Sequence, residues 1–76
     1  MREIKPGQIY KHYKGDIYKI ITVAKNSENK EETFVVYERQ TDIIHNGWRV
    51  WARPIEMFNE NVETENYKGP RFEYLG

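Results

Sequence analysis

A mainly β domain, folded as a small antiparallel SH3-like barrel with one short helical turn, is predicted from three observations. Short runs rich in β-branched and aromatic residues recur along the chain, clearest in IYKIITVA (17–24) and TFVVYER (33–39). Turn signals punctuate these runs at Pro6-Gly7, Lys14-Gly15-Asp16 and Asn46-Gly47. No stretch offers room for a long helix, and 76 residues bound the chain to a single domain, 1–76, of the SH3 or OB kind of barrel.

After Pro6-Gly7, QIYKHY (8–13) reads as a first strand, with Ile9, Lys11 and Tyr13 on one face and Tyr10 and His12 on the other. Lys14-Gly15-Asp16 turns the chain into the strand 17–24, and a polar connection, 26–32, leads to a third strand, 33–39, bulky on both faces. Asn46-Gly47 is a strong type I′ hairpin signal because both residue types tolerate positive φ. A two-residue loop there sets His45 opposite Trp48, Ile44 opposite Arg49, Ile43 opposite Val50 and Asp42 opposite Trp51. Opposed residues share a face, so Ile43, His45, Trp48 and Val50 form a core face. Asp42, Ile44, Arg49, Trp51 and Arg53 then form a rim or an exposed concave face.

Pro54 suits the first turn of a helix, where its missing N–H costs nothing. Residues 54–58 are therefore one helical turn, with Met57 and Phe58 plugging one end of the core. The acidic, Asn-rich segment 59–66 reads as a loop or a weak edge strand. Beyond Gly69-Pro70, the alternation of RFEYL (71–75) supplies a closing strand.

Lys+Arg and Asp+Glu both number 12, giving a formal net charge of +0, so no general field draws the chain to phosphate backbones or anionic membranes. Nucleic-acid binding would have to come from a local patch. The absence of cysteine removes disulfide, thiol-nucleophile and zinc-thiolate chemistry and points to a reducing cytoplasm. Neither a signal-peptide core nor a membrane-spanning run is present, so a soluble, unprocessed protein is expected.

The blocks YKHYKG (10–15), Val23-Ala24 leading to Ser27-Glu28, Val35-Val36-Tyr37 and WARPIEMF (51–58) resemble, in the same order, the bacterial DUF1653 family. That family's pattern runs roughly Y-x-H-Y-K-G, A-x-H-S-E-T, V-V-Y and W-V-R-P-x-x-M-F, and Pro70-Arg71-Phe72 is similar to its usual ending. The resemblance implies a small SH3-type barrel in the cytoplasm without an assigned biochemical activity. Asn26 stands where the family pattern has its histidine before Ser-Glu, and Asn29 where it has threonine. The segment 38–48 is longer and more polar than the family's connection.

His12 is a candidate general base or pH-sensitive hydrogen-bond donor, since an imidazole titrates near neutrality; the plainer reading is a half-buried histidine bonded to a loop. Ser27 and Glu28 can be combined with His12 into a Ser-His-acid set, but the strand-to-helix elbow of such nucleophiles is missing, and a loop serine commonly bonds its own backbone. Tyr37, Arg39, Trp51 and Arg53, with Arg49, are residue types that dominate binding hot spots and also stack on single-stranded bases. Their plainer role is packing and pairing within the fold.

The expectation is a non-catalytic module that binds a peptide or protein segment, or a small ligand, over Tyr10, His12, Tyr37, Trp51 and Arg53. Ser27, Glu28 and Arg39 are further candidate contacts. RNA or single-stranded nucleic-acid binding through the same rings, with Lys11, Lys14, Arg39 and Arg53 on phosphates, is the alternative. An enzyme built on His12, Ser27 and Glu28 is the third. No cofactor and no metal are expected, because neither histidine has a close-spaced partner and no phosphate-loop glycine pattern occurs.

Overall fold

The computed structural model describes residues 3–40 and 49–76. Its elements run β1 (Ile9–His12), β2 (Ile17–Asn26), β3 (Asn29–Arg39), β4 (Val50–Pro54), α1 (Ile55–Phe58), β5 (Asn61–Glu63), β6 (Lys68–Pro70) and β7 (Phe72–Tyr74). Five strands form one antiparallel sheet in the order β4-β3-β2-β1-β7, and β5 pairs with β6 in a separate two-stranded sheet. The mainly β class, the antiparallel pairing and, among the described residues, the single short helix agree with the sequence. Among the described residues no ladder joins β4 to β7.

Local chemistry accounts for the turns. Gly7 and Gly15 adopt φ of 90° and 113°, which glycine enters at little cost. Gly15 N–H donates to the His12 carbonyl (2.7 Å) while His12 N–H donates to that of Asp16 (2.8 Å), closing the β1–β2 turn. The segment expected as a polar connection is instead the end of one strand and the start of the next. Asn26 pairs with Asn29 across a two-residue loop, Ser27-Glu28. Asn26 Oδ1 accepts the Glu28 N–H (2.8 Å) and its Nδ2 donates to Glu32 (2.8 Å), so polar side chains satisfy the hairpin end that apolar burial does not.

The inner face follows from the register. Tyr10 opposes both Tyr18 and Tyr74, His12 opposes Phe72, Ile20 opposes Tyr37, and Val35 opposes Arg53. With Ile4 and Phe58, the buried set is Tyr10, Ile20, Val35, Tyr37 and Phe72. A register shift between Ile20 and Thr22 leaves Ile21 without an opposed residue, so Ile20 and Val23 both oppose inward positions of β3 despite their odd spacing.

Strand β4 pairs with β3, Val50 against Glu38 and Trp51 against Tyr37; the expected pairing of Val50 with Ile43 and of Trp51 with Asp42 falls on residues outside those described. The Asn46-Gly47 turn itself lies outside the described residues. In the observed register Arg53 and Trp51 belong to the inner face, while Val50, expected in the core, is exposed. The helical turn follows Pro54, which is not in its first turn as expected but caps it in extended conformation at the end of β4, and only Phe58 of its two end residues is buried; Met57 is exposed. The segment 59–66 contributes β5, and the chain end closes the sheet as β7 beside β1.

Truncating Phe58 to alanine should cost about 3–5 kcal/mol, because its ring is 2% exposed and no neighbour can refill the space. Met57→Ala should change stability by less than about 0.5 kcal/mol. Urea denaturation of both variants checks the contrast.

Candidate functional site

Four strands and the helical turn deliver rings to one place. Phe72 stacks in parallel on Phe58, with centroids 4.1 Å apart and planes 8° apart. Around Phe72 stand His12 at 5.0 Å, Tyr37 at 5.5 Å and Tyr18 at 5.8 Å, all in edge-on geometry. The Arg53 guanidinium carbon lies over the same ring at 5.8 Å, and Arg53 Nε donates to the Tyr37 hydroxyl oxygen at 3.2 Å. Among the described residues no carboxylate pairs with Arg53, so its terminal amino groups retain donors.

Arg39 and Arg71 are neutralised. Arg39, 6% exposed, is ion-paired with Asp16, and Arg71 Nη2 donates to Glu60 at 2.8 Å. Burial is the main cause holding the His12 imidazole below its ordinary value, with Arg53, Arg71 and Lys14 acting in the same direction and Asp16 opposing. The Lys14 N–H donates to His12 Nδ1 (3.1 Å), so the neutral ring carries its proton on Nε2. Burial likewise pushes the Tyr18 hydroxyl upward, followed by Asp16 and, more weakly, Tyr37, while Arg39 and Arg53 oppose; it stays a donor at neutral pH.

His12, Tyr37 and Arg53, three residues singled out in the sequence, are thus brought together. Tyr10 and Tyr37 are core residues rather than surface ones, at 5% and 4% exposure, and only the Tyr37 hydroxyl reaches the site. Arg39 is likewise buried by its ion pair and is not an open contact. Trp51, opposite Tyr37 on edge strand β4, is 40% exposed. Ser27 and Glu28 are exposed at the tip of the β2–β3 hairpin, whereas His12 sits opposite the start of β2. The length of β2 separates them, on the order of 30 Å at roughly 3.3 Å per residue, so His12, Ser27 and Glu28 do not form one constellation.

The family model for DUF1653, described as a protein of unknown function, matches residues 8–74. The chain belongs to the DUF1653 family. A crystal structure of a DUF1653 protein from Bordetella bronchiseptica is 37% identical, with a TM-score of 0.82, over 100% of this chain and 92% of that one. No curated protein matches the chain.

In this DUF1653 domain the sequence pointed to neither Tyr18 nor Phe72 as site residues. The signal for Tyr18 lay in its pairing with Tyr10, and that for Phe72 in the β1–β7 ladder, which depends on contacts remote in sequence. A shallow hollow of about 240 Å³, lined by Lys11, His12, Tyr13, Tyr67 and Glu73, opens beside His12. Tyr13 stacks on Tyr67 at 5.5 Å, and Tyr67 is fixed by its hydroxyl donating to the Pro70 carbonyl (2.7 Å). No helix among the described residues is long and apolar enough to cross a membrane, and none of their His, Asp and Glu side chains group as a metal site.

Because the fold holds His12 below 6.5, the native state takes up its proton less readily than the unfolded chain. The stabilising contribution is present above about 6.5 and is lost as pH falls through the native value. His12→Asn keeps an acceptor near the Lys14 amide but cannot titrate. Melting temperatures of the two proteins should converge on acidification from about pH 7.5 to about pH 5, and parallel curves would count against this account.

Proposed function

We propose that this DUF1653 domain is a non-catalytic binding module for a peptide or protein segment or a small ligand. The carrying observation is Arg53: its guanidinium is held by Phe72 and Tyr37 and has no acidic partner among the described residues. An oriented, uncompensated cation beside aromatic edges has the makings of a recognition anchor, because little side-chain freedom is left to lose on binding. Trp51, exposed on the neighbouring edge strand, supplies ring area for a partner. The fold that accompanies this reading is an SH3-type barrel. Its proposed setting is a bacterial cytoplasm, supported by the lack of cysteine and by the Bordetella bronchiseptica neighbour.

Amide shift mapping with a pool of short random peptides, then with a pool of polar small molecules, tests the module. Shifts should cluster at His12, Trp51 and Arg53. Trp51→Ala should weaken binding by about 1–2 kcal/mol or more while leaving the melting temperature within a few degrees. Loss of folding in Trp51→Ala would assign that ring to the core instead.

A second reading, RNA or single-stranded nucleic acid, draws support from the positive groups gathered about His12, namely Lys14, Arg53 and Arg71. It requires an affinity for short RNA that falls steeply with salt, and a flat salt dependence would remove it.

A further inference from the structure

We infer that the ligand group read by the His12–Arg53 site is a carboxylate, an inference that rests on the binding-module reading and names its chemistry. The donors around Phe72 are all of one kind. Arg53 Nε is used by the Tyr37 oxygen, which leaves the Nη1 and Nη2 edge and the Tyr37 O–H proton available. His12 accepts at Nδ1 from the Lys14 amide and so presents an Nε2–H donor. Tyr18 adds a second phenol, 5.1 Å from the Tyr37 ring and 6.5 Å from that of His12. Asp16, the carboxylate that acts on His12, is engaged by Arg39. Donors without free acceptors fit a group that only accepts.

Charge and shape narrow the choice further. Asp16 and Glu60 neutralise Arg39 and Arg71, which leaves Arg53 as the uncompensated guanidinium of the three. One fixed charge matches a monoanion. The free edge of a guanidinium presents two parallel N–H bonds to a planar carboxylate, and the surrounding ring edges favour a flat group over a tetrahedral one. Phosphate sites commonly add a nest of backbone N–H groups or a Gly-rich loop, and the sequence has no phosphate-loop glycine pattern.

The carboxyl group can come from a small organic acid or from the end of a polypeptide, and the test separates the two. Signals of His12, the Arg53 Nε–H and nearby amides are followed at constant ionic strength. The probes are sodium benzoate, a short uncharged peptide with a free C-terminus, the same peptide amidated, and inorganic phosphate. Saturable shifts with benzoate or the free-acid peptide, absent with the amide, are expected. Arg53→Met should weaken them by about tenfold or more, as loss of a charge-assisted hydrogen bond requires, and Arg53→Lys should restore part of the affinity. Tighter binding of the free-acid peptide names a protein terminus as the source, and tighter binding of benzoate names a small acid. Equal binding of the amidated peptide, or stronger binding of phosphate, would overturn the carboxylate assignment while leaving a binding module. If none of these probes, nor the peptide and small-molecule pools, shifts any signal, both readings fall.

Discussion

The parallel stack of Phe72 on Phe58 is the contact on which the domain depends. Phe72 belongs to β7 and Phe58 to the helical turn α1, and both rings are buried. Against this pair lean rings from β1, β2 and β3, so one aromatic cluster joins segments from both ends of the chain. A domain of 76 residues has too little volume for a deep aliphatic core. Large flat side chains compensate, since each removes roughly 150–250 Å² from water and edge-on contacts add to that burial.

The same cluster that stabilises the fold also prepares the site. Arg53 is fixed because it lies over a core ring and bonds a core tyrosine, not because an acid holds it. Two neighbouring arginines show the usual alternative, each matched to a carboxylate. Of these three arginines, then, Arg39 and Arg71 have their charge cancelled and Arg53 does not among the described residues, within a chain whose formal charge is +0. His12 lies where this imbalance meets the ring cluster, and its neutral form is what the surrounding cations and partial burial favour.

Much of this was legible in the sequence where the signal was local. Pro54 announced the helical turn, the alternation of Arg71 to Leu75 announced the closing strand, and the β-branched run announced β2. The faces of β4 were not legible, because its ladder to β3 joins it to residues more than ten positions earlier in the chain, which no local signal shows. For the same reason His12 and Arg53 could be singled out by type while their common neighbour Phe72 could not. Ser27 and Glu28 looked adjacent to chemistry only because linear order hides the length of a hairpin.

Strand β2 carries a point where simple alternation fails on the inner face. Ile21 is an extra residue between Ile20 and Thr22, and it is exposed. Its side chain contributes little to the core, yet its backbone sets the phase of everything distal to it in the hairpin. Many replacements of Ile21 are therefore compatible with the fold, whereas its deletion would turn Val23 away from Val35 and carry the whole outer half of β2 to the opposite side. In the divergence of such a chain, this position constrains length far more than it constrains identity.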